Sequence, residues 1–216
     1  MMKQLPSLLL MLIVTQTLGL GRSGSVDKSN ASTKKLDSLR IEQFATYNAL
    51  GEISEKAQVV IGLDAVEPKS ESTINLDFPG GTVADLLNMF VGAVPEYRWW
   101  ETNSGAIRVS RDGGHVSLLD VVVRYPGMLK KTRRDIWQDI AQRPEVSTWM
   151  ELNKCSRGEI RNGKEFRDHN EPISIEARSL TVADLLDEVA TKSGTNYWAV
   201  LRSPAGTSCS IQIILW

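Results

Sequence analysis

The chain has 216 residues, of which 42% are apolar and 24% charged, and its formal net charge is −1. That length allows one domain or two small ones. The charge balance excludes nucleic acid as the main partner, because phosphate binding needs a concentrated basic face.

The chain opens with Met1-Met2-Lys3 and an apolar run from Leu5 to Leu20. A basic start, an apolar stretch and small residues near Gly19–Gly21 read as a signal peptide over 1–21, implying a periplasmic or secreted protein. Pro6, Thr15, Gln16 and Thr17 interrupt the run, which is shorter than the ~20 apolar residues a span requires, so no stable membrane span is expected after cleavage. Removing 1–21 takes only Lys3 from the charged set, leaving 24 cations against 26 anions and a net charge of −2. Residues 22–37 are rich in Ser, Gly, Lys and Asn and read as a disordered linker.

A first unit is expected over 38–112. Leu39–Phe44 alternates like a half-buried strand. Thr46 is placed to cap a helix whose inward positions are Tyr47, Leu50, Ile53 and Ala57, and Val59–Leu63 reads as a short buried strand. A polar turn at 67–71 leads to an alternating strand over 72–78. Next comes Thr82-Val83-Ala84-Asp85-Leu86-Leu87. Thr82 sits at an N-cap and Asp85 three residues later, the acidic form of the capping-box spacing. Val83, Leu86, Leu87, Phe90, Val91 and Val94 then make one buried stripe. Tyr97–Trp100 and Ala106–Val109 form a hairpin across Thr102-Asn103-Ser104-Gly105.

A second unit is expected over 115–216. Val116–Val123 reads as a strand, Thr132-x-x-Asp135 caps a helix containing Ile136 and Ile140, and Pro144 closes that helix. Ser147–Leu152 reads as a strand and Ser156–Glu171 as a loop. After the strand Ile173–Ala177 the six-residue phrase returns unchanged as Thr181–Leu186, and the strands 196–202 and 209–215 follow. An exact internal repeat governs the reading of the whole chain. The fold class is therefore α+β, with two tandem small modules. Each holds two helices packed with short two- and three-stranded sheets in the order β-α-β-β-α-β-β.

The two cysteines, Cys155 and Cys209, both fall in the second unit. In an oxidising compartment they form either one disulfide or two buried thiols; spacing does not decide between them. The two histidines, His115 and His169, lie apart from any H-x-x-x-H, C-x-x-C or nucleophile elbow, so neither catalysis nor a metal site is expected, and no cofactor. Neighbouring strand residues face opposite sides, so of Trp99 and Trp100 one ring enters the core and the other faces out. Arg98, Trp99 and Trp100 are thus the candidate contact surface, for a protein or for a sugar. Lys130, Lys131, Arg133 and Arg134 crowd a helix start, and read as a solvated turn or as a contact for an acidic surface.

Ile41–Ala45, Asn48-Ala49-Leu50, Ile53 and Ala57, then Ile74–Asp77, Thr82–Leu87, Tyr97 and Ile107, resemble the secretin and TonB short N-terminal domain. The resemblance covers about 39–110 well and 116–215 more loosely. It implies a bacterial periplasmic protein without enzymatic activity. Its implied partner is an envelope protein of the secretin, outer-membrane receptor or sigma-regulator type. No barrel-forming or secretin segment is expected after Trp216, so the pore and receptor roles do not carry over. The alternative reading is a carbohydrate- or envelope-binding protein using exposed tryptophans.

Overall fold

The computed structural model describes residues 30–66, 73–111, 116–162, 172–203 and 208–215. The signal segment 1–21, the turn 67–71, both histidines, the remainder of the expected loop beyond 162 and Trp216 lie outside the described residues. The first half contains a 3-10 turn (Ala31–Thr33), β1 (Lys35–Leu36), β2 (Leu39–Ala45), α1 (Thr46–Ala57) and β3 (Ile61–Val66). It continues through β4 (Thr73–Phe78), β5 (Gly81–Thr82), α2 (Val83–Ala93), β6 (Tyr97–Glu101) and β7 (Ile107–Arg111). The second half contains a 3-10 turn (Ser117–Asp120), β8 (Val122–Tyr125), β9 (Met128–Lys131), α3 (Arg133–Ala141) and α4 (Pro144–Leu152). It ends with β10 (Cys155–Asn162), β11 (Ile173–Ile175), β12 (Arg178–Thr181), α5 (Val182–Ser193), β13 (Tyr197–Arg202) and β14 (Cys209–Leu215).

The fold is mixed α+β, but the halves are not separate tandem modules with a sheet each. One six-stranded sheet, in the order β10-β14-β13-β3-β7-β6, runs through both. Each half supplies a hairpin with a parallel third strand: β7 lies parallel to β3, and β14 parallel to β10. The halves join where β13 pairs in parallel with β3, from Tyr197 opposite Ile61 to Arg202 opposite Val66.

Alternation along β13 explains why the halves fuse. Tyr197, Ala199 and Leu201 belong to the core beneath α1 and α2, together with Ile61, Leu63 and Ala65 of β3. Trp198 and Val200 point the other way, into the core made by α3, α4 and α5. A strand apolar on both faces needs a layer on each side. One half supplies only one layer, so burial of both faces requires the other half. Two-stranded ribbons, among them β2 with β4 and β8 with β12, close the outer sides of these cores.

Local chemistry corrects several expected elements. Ser147–Leu152 is helical, because Pro144 opens α4 at its first position rather than closing the helix before it. Proline's missing N–H and preset φ suit a first turn. Val146 and Met150, four apart, are the buried residues of α4. Part of the expected loop is β10, held by pairing with β14 despite a sequence without alternation. Tertiary pairing outweighs local pattern there. Strand structure in the Val116–Val123 segment begins only at Val122, since the preceding 3-10 turn buries Leu118 and Leu119 side by side. Residues 30–36 of the expected linker are ordered: β1 pairs with β5, and Glu101 accepts from the backbone of Ala31 at 2.6 Å. Ala45, not Thr46, is the N-cap of α1, and Thr46 is buried in its first turn.

Candidate functional site

The hairpin β6–β7 carries the three candidate contact residues, and strand alternation sorts them. Trp99 turns toward α2, is partly buried against the first core, and donates its indole N–H to Asn88 at 3.0 Å. Arg98 and Trp100 turn to the opposite face; Arg98 is exposed and Trp100 is 43% exposed. The face that holds Trp100 is the one that α5 covers farther along the sheet. Trp100 therefore stands at the margin of an open groove of about 1440 Å³. The turn Thr102–Gly105 forms one side of that groove, and Asp184, Glu188, Thr191 and Lys192 of α5 line the other. Arg178 and Lys192 both pair with Glu188, the latter at 2.9 Å.

At the inner edge of the groove lies a buried polar knot that ties the halves. Arg108 of β7 makes a bidentate ion pair with Asp187 of α5, at 2.8 and 2.7 Å. Asp187 also accepts from the Trp198 indole at 2.9 Å, and the Arg108 guanidinium lies 4.6 Å from the centre of a Trp198 ring. Asp184 stands 3.8 Å from the same guanidinium. Burial pushes the Asp187 carboxyl up to about 6, against the opposing pull of Arg108 and the indole. Burial likewise lowers the Arg108 pKa, with Asp187 and Asp184 resisting. Gly62 makes room for the knot: a Cβ there would meet the Trp198 ring at 2.2 Å and Arg108 Nη1 at 2.7 Å. A second polar link joins the halves where Asp64 accepts from the Val116 amide at 2.8 Å.

The knot reveals an equivalence between the halves. Thr82 and Thr181 lie 99 positions apart, and the same offset relates Asn88 to Asp187 and Trp99 to Trp198. In each half the tryptophan of the strand donates its indole to the helix residue six past the cap threonine. Tyr97 and Tyr197, one position out of step with that offset, face different environments. Tyr97 meets Phe90 of its own α2, whereas Tyr197 enters the core of the other half. Alignment by tryptophan rather than tyrosine would have exposed this pairing from the sequence.

Cys155 and Cys209 are joined by a disulfide at the start of β10 and β14, where they stand directly opposite. Lys130 and Lys131 are exposed at the end of β9, away from the groove. Among the described residues no group of three His, Cys, Asp or Glu could hold a metal ion, and no helix is long and apolar enough to cross a membrane. No family model, curated protein or solved structure matches the chain.

Proposed function

We propose that this protein is an exported, non-enzymatic interaction module of the bacterial envelope that accepts a partner protein at the outer edge of β6. One observation carries the reading. β13, the counterpart of β6, has its outer edge taken by β3 and its outward face covered by α1. Among the described residues β6 has no strand on that side, and its outward face holds Arg98 and Trp100. The surface that joins the halves in one place is thus left open in the other. Main-chain pairing along such an edge supplies affinity, and the side chains beside it supply selectivity. The likeness to secretin and TonB short N-terminal domains supports an envelope partner of that kind.

A second reading, carbohydrate binding, is favoured by one feature: the Trp100 ring borders a groove rimmed by Thr102, Asn103, Ser104 and Thr191. An aromatic platform beside hydroxyls and an amide suits a sugar ring. Retention experiments separate the two. Envelope extract is passed over the wild type, Trp100→Ala and the distant exposed control Leu129→Ser. A protein held by the wild type and the control but lost with Trp100→Ala supports the leading reading. Retention of the chain on peptidoglycan or glycan beads, with no such protein, replaces it with the second.

A further inference from the structure

The β6 edge is complementary to itself, and we propose that its partner is a second copy of this chain, joined through antiparallel β6–β6 pairing centred on Trp99. This rests on the reading of β6 as a strand-accepting edge and names the occupant.

The backbone sets the register. Thr102 donates its backbone N–H to Ala106 at 2.8 Å. Bonded and non-bonded positions alternate along an antiparallel pair. Arg98 and Trp100 therefore spend their backbone groups on β7, while Trp99 and Glu101 turn theirs outward. The Tyr97 amide is occupied by Val94, leaving its carbonyl for the edge. Two copies related by a twofold axis normal to the sheet bring outward groups together when Trp99 faces its own counterpart. Tyr97 then faces Glu101 of the other copy, and Arg98 faces Trp100.

The side chains agree with that register. Directly opposite residues share a face of the sheet. Arg98 and Trp100 both occupy the open face, so the twofold sets each guanidinium against the other copy's indole, twice over. That is a cation–π pairing, and tryptophan is the best ring for it. No like charges stand directly opposite: Glu101 faces Tyr97 and the flanking Glu96 faces Thr102, while the two Arg98 side chains are diagonal neighbours, each set against an indole. Among the described residues the sheet's other end is β10, a poorer edge for pairing. Its register against β14 breaks between Arg157 and Ile160, and Ser156 and Arg157 are exposed along it. A bulge opposes strand addition, and β6 has no such break against β7. A twofold contact also closes after one pairing, which limits the assembly to a dimer.

Sedimentation of the purified chain tests the inference. The wild type is expected as a dimer at micromolar concentration. Arg98→Glu, which loses the cation, and Trp100→Lys, which sets a second cation against Arg98, are both at exposed positions and each weaken it by about tenfold or more, with unchanged circular dichroism and melting temperature. The double variant Arg98→Glu with Trp100→Lys places opposite charges across the same register and is expected to restore a dimer that now weakens with salt. A wild type that remains monomeric at roughly 100 µM overturns the proposal. So does a dimer indifferent to both single variants. If the wild type is monomeric yet holds an envelope protein in a Trp100-dependent way, the second copy is excluded while the interaction function stands. If neither occurs, both fall.

Discussion

Helices α2 and α5 begin with the same six residues and end in different chemistry. In α2 the cap closes on itself: Thr82 accepts from the Asp85 amide, and Asp85 accepts from the Thr82 amide and hydroxyl. Those bonds hold the Asp85 carboxyl below its ordinary range. In α5, Thr181 still accepts from the Asp184 amide at 3.1 Å, but the Asp184 carboxylate stands 3.8 Å from Arg108. One turn on, Asn88 makes a neutral bond to a partly exposed tryptophan, whereas Asp187 holds a buried arginine and a buried tryptophan. A local signal fixes where each helix starts. What lies across the sheet fixes what its polar residues do.

The largest contrast is expected at these paired positions. Asp187→Ala strips the buried Arg108 of its bidentate partner and leaves it only the Asp184 carboxylate at 3.8 Å, and should cost about 3–5 kcal/mol in denaturant unfolding. Asn88→Ala should cost only about 1 kcal/mol, since one neutral, partly solvated bond is lost. Replacing both partners, Arg108→Met with Asp187→Leu, should cost less than Asp187→Ala alone, because no charge is then stranded. Equal costs for Asp187→Ala and Asn88→Ala would break the comparison.

The disulfide lies only in the second half. Cys155→Ser with Cys209→Ser releases a 54-residue separation and should destabilise the chain by about 4 kcal/mol on the chain-entropy account. Gly62→Ala probes the joint from the other side. Its Cβ enters the space of the Trp198 ring, with an expected loss of about 1–3 kcal/mol.

Acidity distinguishes the two helices as well. The folded Asp187 pKa is raised above its ordinary value to about 6, so the stability tied to it is fully present below pH 4 and is lost as pH rises through 6. The stability of wild type minus that of Asp187→Asn should therefore fall between pH 4 and 6 and level off above. A difference that rises with pH in that window would show that Arg108 outweighs burial. The smallest effects belong to the caps: Thr82→Ala and Thr181→Ala should each cost about 1 kcal/mol, with Thr82 the larger because Asp85 also loses the bond from the Thr82 hydroxyl.

Much of this was legible in the residues. The Thr-x-x-Asp caps, the buried stripe of α2, the β6–β7 hairpin and the opposite facing of Trp99 and Trp100 all follow from spacing of two to four residues. Helix α4 and strand β10 were not legible, because Pro144 serves a helix start as readily as a helix end, and β10 depends on a neighbour. Nor was the knot: Arg108 reads as an ordinary hairpin residue until α5 is laid over it, although the 99-residue offset linking Asn88 with Asp187 and Trp99 with Trp198 was present to be found.

The sequence alone determined the α+β class, the repeated helix start and the outward placement of Trp100, because caps, periodicity and alternation act between near neighbours in the chain. Only the tertiary structure decided that the repeats share one sheet and that Asp187 is an ionic anchor. Those depend on residues about 80 to 140 positions apart, such as Arg108 with Asp187 and Ile61 with Tyr197, whose meeting is set by burial of both faces of β13 and by no local rule.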